Sequence, residues 1–324
     1  MPEISFREAL HNTLLDEMRR DERYFIMGED IGAYGGSYAV TKGLLEEFGD
    51  RRVRDTPISE SVVVGAGIGA AMAGLRPIVE IMTINFSLLA MDQIVNIASK
   101  VLYMSGGQYA VPLVIRMASG GGRQLAATHS HNFEGWYAHL PGLKVCSPAT
   151  PYDAAGMLRS AMHEDDPVIF VEHAALYPMK GEVPVEPFRV PLGEARVARQ
   201  GRDVTLISWS RGLWLAMQAA EELAKEDELE AEVIDCRSLR PLDLDTIVTS
   251  VRKTGRAVVI EDDWRFGGFS AEVASLIHEN AFDYLDAPVQ RVTGEDVPAP
   301  YNRKLEMASL PDVPKVLQAV RSIT

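Results

Sequence analysis

Glu60 is the first residue of this sequence whose type and setting could do chemistry. It closes the segment DTPISE (55–60) and is followed by three valines at 62–64. Pro57 favours an extended turn, which predicts that a helix begins near Glu60. A carboxylate at a helix start usually stabilises the helix dipole. Because its neighbours Ile58 and 62–64 are apolar, this carboxylate is partly desolvated and can instead exchange a proton with a ligand.

Two histidines near a glycine-rich loop are the second candidate. His129 and His131 form an H-x-H pattern after SGGGRQ (119–124). On extended backbone both imidazoles face one side, as zinc ligands do, but the nearest further ligands, Glu134 and His139, lack a zinc-site spacing. Because imidazole titrates near neutral pH, proton transfer or stabilisation of an oxyanion is the better hypothesis.

The charge balance and the cysteine count exclude several classes of protein. Lys and Arg total 32 against 46 Asp and Glu, a net charge of -14, which argues against nucleic acid and acidic membranes as partners. The longest apolar run, 62–75, contains glycines and is too short to span a bilayer, and the acidic N-terminal segment does not fit a signal peptide. Cys146 and Cys236 are far apart and are predicted to be buried thiols. We therefore expect a cytoplasmic protein.

Short β-branched runs alternate with helical patterns along the chain, which is typical of α/β units on a mainly parallel sheet. The predicted strands lie at 24–28, 76–82, 111–117, 143–148, 167–173, 204–210, 231–236 and 257–263. The clearest predicted helices lie at 86–104, 152–164 and 269–280. Prolines at 178, 184, 187 and 191 interrupt this alternation. The expected division is a domain at 1–177, a linker at 178–200 and a smaller α/β domain at 201–324.

Several common catalytic signatures are absent. The sequence contains no GxxxxGK[ST], HExxH or GxSxG, and the glycines within 65–69 do not match the GxGxxG of a dinucleotide-binding helix. Small residues at helical spacing instead allow another helix to approach closely, either across a subunit contact or within a buried core. These residues are Gly65, Ala66, Gly69, Ala70, Ala73 and Gly74.

Seven segments in order resemble the beta subunit of the thiamine-diphosphate-dependent decarboxylating component of 2-oxo-acid dehydrogenase complexes. The segments are GEDIGAYGGSYAVTKGL (28–44), DTPISE (55–60), IMTINFSLLAMDQIVN (81–96), YMSGG (103–107), THSH (128–131), HLPGLKVCSP (139–148) and VTGEDVPAPY (292–301). The resemblance implies a thiamine-diphosphate-binding, transketolase-like pyrimidine domain followed by a transketolase C-terminal-like α/β domain. It also implies active sites between alpha and beta subunits of an α2β2 heterotetramer.

The resemblance further implies which residues hold the cofactor. Glu60 matches the glutamate that hydrogen-bonds the aminopyrimidine ring nitrogen, a contact that favours the imino tautomer and so the removal of the thiazolium carbon's proton. The other positions that match the pyrimidine half-site are Glu29, Ile58, Ser59, Met82 and Phe86, with Phe86 stacked on the ring.

On the substrate side, the resemblance implies that His129 assists reductive acylation of the lipoyl group brought by the acyltransferase component. Thr83, Asn85 and His131 are the further substrate-binding positions, and His131 stands where relatives often have glutamine.

The resemblance also implies two metal ions, potassium and magnesium. Relatives hold a structural potassium ion at positions that correspond to Leu113, Ala161, Met162, Glu164 and Asp166, with Glu164 in place of the usual aspartate. The alternative for HEDDP (163–167) is a solvated helix end. The magnesium and diphosphate ligands of a complete site need a GDG and a downstream asparagine, and GDR (49–51) is the nearest approach. The chain therefore carries half a site, and the alpha subunit must supply magnesium.

The function expected from these observations is oxidative decarboxylation of a 2-oxo acid with acyl transfer to lipoate. Ile84 stands where many pyruvate-type relatives carry phenylalanine, which favours a branched-chain substrate such as 2-oxoisovalerate. The alternatives are pyruvate, half of a split transketolase-like enzyme that acts on sugar phosphates, a non-catalytic binding subunit, and a metal hydrolase built on the two histidines.

Overall fold

Two units of strands and helices make up the chain, and the computed structural model describes residues 1–324. The first unit comprises Met1–Ser119 and Trp136–Leu192, and the second comprises Gly120–Gly135 and Gly193–Thr324. The division thus falls at 192/193, and the short segment 120–135 groups with the second unit although it follows a strand of the first.

The bounds of the elements are as follows. The strands are β1 (Glu3–Ser5), β2 (Tyr24–Gly28), β3 (Val53–Asp55), β4 (Arg76–Ile81), β5 (Val114–Ser119), β6 (Lys144–Cys146), β7 (Val168–His173), β8 (Lys180–Glu182), β9 (Arg196–Arg199), β10 (Val204–Ser208), β11 (Ala231–Asp235), β12 (Ser238–Arg240), β13 (Ala257–Trp264) and β14 (Gln290–Gly294). The α-helices are α1 (Phe6–Arg20), α2 (Leu44–Phe48), α3 (Glu60–Met72), α4 (Val101–Met104), α5 (Glu134–Ala138), α6 (Pro151–His163), α7 (Arg211–Glu226), α8 (Leu244–Thr254), α9 (Phe269–Ala281), α10 (Arg303–Ser309) and α11 (Val313–Arg321). Short 3-10 helices lie at Ile84–Ala90, Ala174–Leu176 and Phe282–Tyr284, and a π-helix lies at Gln93–Ala98.

The first unit is built on parallel strands in the order β6-β7-β5-β4-β2-β3. Every residue of β5 and β7 is buried, as expected for parallel strands that are covered on both faces. Gly28 lies opposite both Asp55 and Glu80 in the register. Because neighbouring strands run in the same direction, their carboxyl ends meet at one edge of the sheet.

The second unit has a five-stranded sheet in the order β14-β13-β10-β11-β9. Its pairs are parallel except for the antiparallel pairing of β9 with β11. Helices α7, α8, α9 and α11 pack against these strands. Both units therefore confirm the predicted α/β class.

Two predicted segments have a different structure. The region 86–104, predicted as one helix, consists of a 3-10 helix, a π-helix and α4. Within the 3-10 helix the Ser87 hydroxyl donates to the Ile84 carbonyl at 2.5 Å and accepts from the Tyr137 hydroxyl at 2.5 Å. Such side-chain hydrogen bonds compete with the regular helical pattern, which explains the interruption.

The segment 178–200, predicted as a linker, contributes a strand to each unit. β8 pairs with β1 in the first unit and β9 pairs with β11 in the second. The prolines lie outside both short strands, where they remove no ladder hydrogen bond.

None of the helices combines the length and the apolar character needed to cross a lipid bilayer.

Candidate functional site

Three of the segments singled out in the sequence follow neighbouring parallel strands of the first unit. Glu29 follows β2, the segment 56–60 follows β3, and 82–86 follows β4. Since β2 pairs with β3 on one side and with β4 on the other, these loops leave the same edge of the sheet. That edge is the usual position of a ligand site in an open α/β sheet.

A pair of carboxyl groups lies at this edge. Glu60 is the first residue of α3 and is buried, with 4% of its surface exposed. Glu29 is half-buried; burial raises its pKa, and the nearby charge of Glu60 raises it further. Two carboxylates close together repel each other, which favours uptake of a proton by the pair. The pair is therefore suited to proton exchange with a ligand.

Asp55 fixes the loop that carries Glu29. Its Oδ1 accepts from the backbone N–H of Gly32 at 2.6 Å, and its Oδ2 accepts from that of Ala33 at 3.2 Å. At the start of the loop a Cβ on Gly28 would lie 2.5 Å from the carbonyl oxygen of Glu80, so only glycine fits there. The sequence placed Asp55 in a recognisable segment but gave no sign of this role.

A buried ion cluster joins three adjacent strands of the same sheet. Arg116 of β5 donates to Glu80 of β4 at 2.7 Å and, through two nitrogens, to Glu172 of β7 at 2.8 Å each. The Tyr177 hydroxyl donates to Glu172 at 2.8 Å. Burial raises the pKa of Glu80, and the nearby carboxylates raise that of Arg116. The cluster also borders the loop after β2, since Glu80 Oε1 lies 3.3 Å from the point where a Cβ of Gly36 would stand.

No pattern in the sequence predicted this cluster. A charged residue inside each of three mainly apolar strands was the available signal, but the pairing of those strands was not known from the sequence.

The third segment provides the apolar part of the candidate site. Met82 and Phe86 are half-buried, while Thr83 and Asn85 are buried and joined by a 3.3 Å hydrogen bond from the Thr83 hydroxyl. The 3-10 helix that carries Phe86 packs against α3. An accessible aromatic ring on an element packed against the helix that begins with Glu60 suits a flat heteroaromatic ligand with ring nitrogens.

Other predicted positions differ in accessibility. Ile58 is 80% exposed and Ser59 is half-buried, whereas Ile84 is fully buried. Because the Ile84 side chain has no exposed surface in this chain, it has none with which to contact a substrate. This weakens the argument from Ile84 for a branched-chain substrate.

The two histidines lie in the second unit and have different surroundings. His129 is exposed, and its Nδ1 lies 3.0 Å from the Thr128 hydroxyl. His131 is half-buried, with its ring 4.5 Å from that of Phe133 and 5.1 Å from that of Trp264. Burial lowers the pKa of His131. His129 is therefore accessible for chemistry, while His131 contributes to packing.

The second unit also contains buried acids for which the sequence predicted no such environment. Burial raises the pKa of Glu134 to about 8, although Trp209 Nε1 donates to its Oε1 at 3.3 Å. Burial and the charge of Glu261 raise the pKa of Asp263 to about 7. From the sequence, Glu134 was considered only as a possible zinc ligand near His129 and His131.

The groups predicted to bind potassium have protein partners. The carbonyl oxygens of Leu113, Ala161 and Met162 accept from Val168 N, Glu164 N and the Tyr24 hydroxyl, respectively. The Lys144 ammonium lies 2.5 Å from Glu164 and 3.3 Å from Asp166, and no group of three or more His, Cys, Asp or Glu residues could hold a metal ion. Lys144 thus supplies a positive charge beside Glu164 and Asp166, and the potassium site stays a prediction from the resemblance.

Comparison with known proteins places these observations in a family. Residues 2–180 match the family described as transketolase, pyrimidine binding domain, and residues 193–316 match transketolase, C-terminal domain. The pyruvate dehydrogenase E1 component subunit beta of Rhizobium meliloti (strain 1021) is 48% identical over 324 residues, covering 100% of this chain and 70% of that protein. The protein of the same name from Rickettsia felis is 47% identical, covering 99% of this chain and 98% of that one. The mitochondrial subunit beta-2 of Oryza sativa subsp. japonica is 46% identical, with 98% and 86% covered.

Solved structures support the fold alone. A split-gene transketolase in an inactive beta4 tetramer matches with a TM-score of 0.80 at 22% identity, covering 99% of this chain and 98% of that one. The transketolase of Campylobacter jejuni matches with a TM-score of 0.73 at 14% identity, covering 99% and 47%. The family models and the sequence relatives show that the chain belongs to the family of beta subunits of thiamine-diphosphate-dependent 2-oxo-acid dehydrogenase E1 components.

Proposed function

We propose that this chain is the beta subunit of a pyruvate dehydrogenase E1 component and is active only when joined to an alpha subunit. The observation that carries the proposal is the placement of Glu29 and the buried Glu60 at the sheet edge where the segments after β2, β3 and β4 meet. When bound, thiamine diphosphate supplies the electron sink for decarboxylation of a 2-oxo acid.

Glu60 is the proposed proton partner of the pyrimidine ring nitrogen. Its burial removes competing water, and its position at the start of α3 fixes the direction of its carboxyl group. Glu29, whose pKa is raised by burial and by the charge of Glu60, is the proposed second carboxyl group of the pair, and it would favour a proton between Glu60 and the ring nitrogen.

Phe86 is the proposed stacking surface for the pyrimidine ring. Its half-buried side chain belongs to a 3-10 helix that packs against α3. Met82, Ile58 and Ser59 are the proposed apolar and polar borders of the same half-site, and Thr83 and Asn85 are the proposed substrate-side polar groups.

His129 is the proposed acid–base group for acyl transfer to the lipoyl group of the acyltransferase component. It is exposed and lies on a loop that begins with glycines, so an incoming lipoyl group can reach its imidazole. The role of His131 is proposed to be the support of this loop through its ring contacts rather than direct chemistry.

The alpha subunit is proposed to supply the missing half of the site. The chain has no GDG motif for magnesium and diphosphate. Large apolar side chains stand exposed on the segments around Glu60 and Phe86, which is unusual on a free surface and typical of an interface. They include Ile58 at 80%, Val62 at 66%, Leu89 at 65%, Tyr103 at 87% and Met104 at 75% exposed. An α2β2 assembly would cover them.

Pyruvate replaces the branched-chain 2-oxo acid that Ile84 suggested. The relatives with 46–48% identity are named for pyruvate, and the Ile84 side chain is fully buried, so it presents no surface to a substrate in this chain. These two facts favour the smaller substrate.

The test is turnover by the α2β2 complex reassembled from both purified subunits with thiamine diphosphate and magnesium. The expected result is a kcat/KM for pyruvate at least about tenfold above that for 2-oxoisovalerate, the smallest discrimination that added methyl groups usually produce. A preference for 2-oxoisovalerate would refute the pyruvate assignment. Turnover of a ketose phosphate in place of any 2-oxo acid would favour a split transketolase instead, and full activity of the beta chain alone would refute the need for a partner.

A further inference from the structure

The carboxylate of Glu306 holds the glycine-rich loop that leads to His129, and all three features lie in the second unit. Glu306 belongs to α10 and is 1% exposed. Its Oε1 accepts from the backbone N–H of Gly122 at 2.9 Å and from that of Gln124 at 3.2 Å, and its Oε2 accepts from Gln124 at 3.0 Å. A buried carboxylate thus has the loop backbone as its hydrogen-bond partner.

The backbone of this loop has a conformation that needs external support. φ is positive at every second residue: 91° at Gly120, 90° at Gly122, 58° at Gln124 and 64° at Ala126. Glycine adopts such values freely, but glutamine and alanine do so only at a cost in free energy. Alternation of this kind turns successive N–H groups toward one side and forms a concavity that binds an anion. The carboxylate of Glu306 is that anion.

Packing around α10 adds to the hold on the loop. A Cβ on Gly121 would lie 3.4 Å from a methyl carbon of Leu310, the residue that follows α10. Glu306 is itself fixed within α10, where its N–H donates to the Asn302 carbonyl at 2.8 Å. The end of α10 therefore contacts the loop through both a charge and an apolar side chain.

Backbone hydrogen bonds connect the loop that Glu306 binds with His129 and His131. The N–H of His129 donates to the carbonyl of Ala126 at 3.2 Å, and the N–H of Gly120 donates to the carbonyl of His131 at 3.0 Å. A change in the turn at Ala126 therefore changes the direction of the His129 backbone. Nothing in the sequence links Glu306 to the histidines, because about 180 residues separate them.

We propose that Glu306 is a positioning residue for acyl transfer: it holds 120–126 in the left-handed turns that set the orientation of His129. The proposal rests on the proposed role of His129 in transfer to lipoate. Glu306→Gln keeps the size of the side chain but leaves one acceptor oxygen and points an N–H donor at other N–H donors, so the turns at Gln124 and Ala126 lose their support.

The test uses the reassembled α2β2 complex with Glu306→Gln, Glu306→Asp, His129→Ala or the double variant of Glu306→Gln with His129→Ala. The matched control is Glu279→Gln, which removes an exposed carboxyl of α9. Two activities are measured: pyruvate oxidation with ferricyanide as the electron acceptor, and acetyl transfer to a free lipoyl domain. Amide hydrogen exchange in 120–126 is followed separately.

The expected result for Glu306→Gln is a fall in acetyl transfer of at least about tenfold, the scale of a misplaced catalytic group, with ferricyanide-coupled turnover unchanged. Glu306→Asp, which keeps the charge, restores part of the transfer rate. The double variant is no slower than His129→Ala, because both changes act on one group. The amides of Gly122 and Gln124 exchange faster, and Glu279→Gln matches the wild type in every assay.

An equal loss of both activities would show a merely structural role and overturn the proposal, as would unchanged amide exchange in Glu306→Gln. If His129→Ala itself leaves acetyl transfer intact while Glu306→Gln still speeds exchange, the proposed role of His129 fails, and the positioning role fails with it, whereas the anchoring of the loop stands.

Discussion

Removal of Arg116 tests the buried ion cluster most directly. The Arg116→Met variant keeps an unbranched side chain of similar length but leaves Glu80 and Glu172 without a cation in the interior of the first unit. Three hydrogen bonds of 2.7–2.8 Å are lost. The carboxyls must then take up protons or be buried as unpaired charges, both of which are unfavourable.

The magnitude follows from the low exposure of the three side chains, which is 2% for Arg116, 1% for Glu172 and 11% for Glu80. Removing one partner of a buried ion pair costs about 3–5 kcal/mol, because the remaining charge stays uncompensated. The first unit, which holds the cluster, comprises Met1–Ser119 and Trp136–Leu192. At roughly 2–4 °C per kcal/mol for a folding unit of that size, its melting temperature should fall by about 6–20 °C. The loss should be larger at pH 8 than at pH 5.5. Without the cation, protonation removes an uncompensated buried charge, so the folded variant binds more protons than the unfolded chain, and its stability falls as pH rises.

The assay is differential scanning fluorimetry of the purified protein at both pH values. The control is Arg19→Met, which removes an exposed pair with Glu47 and should leave the melting temperature unchanged, since exposed ion pairs contribute little. Equal melting temperatures for Arg116→Met and the wild type, or a larger loss at the lower pH, would refute the reasoning. Adding Glu80→Gln and Glu172→Gln to Arg116→Met should remove much of the added pH dependence, because glutamine does not titrate.

Two further predictions concern carboxyl groups. Glu60→Gln should lower turnover of the reassembled complex by a factor of about 10² or more, the usual contribution of a positioned acid–base group, while the circular dichroism spectrum stays unchanged. The control is Glu22→Gln, which alters an exposed carboxyl. Wild-type turnover in Glu60→Gln would rule out the assigned role. Burial raises the pKa of Glu134 to about 8 in the folded state, so between about pH 4.5 and pH 8 the folded protein keeps a proton that the unfolded chain releases. The wild type should therefore lose stability as pH rises through this range. Glu134→Gln should remove this loss. Thermal melts from pH 5 to pH 9 check this, and parallel pH profiles for Glu134→Gln and wild type would contradict it.

The amino-acid sequence determined the fold class and located most segments of the candidate site. Apolar periodicity is a local property, so β2, β4, β7 and α6 lie close to where the pattern predicted them. The short segments around Glu29, Glu60 and Phe86 were recognisable because each depends on residue types at fixed spacing. Their placement at the ends of neighbouring strands followed once the order of the strands was known.

Only the tertiary structure decided which residues share an environment. The irregular helix at 84–104 depends on a hydrogen bond between Ser87 and Tyr137, which are 50 residues apart. The Arg116 cluster depends on the order of the strands. The hydrogen bonds from Gly122 and Gln124 to Glu306 join residues that are 184 and 182 positions apart in the sequence. Ile84 was misjudged for the same reason, since its burial is set by the packing around it. Local pattern fixes the type of an element, whereas burial, charge pairing and pKa shifts arise from contacts between residues distant in sequence.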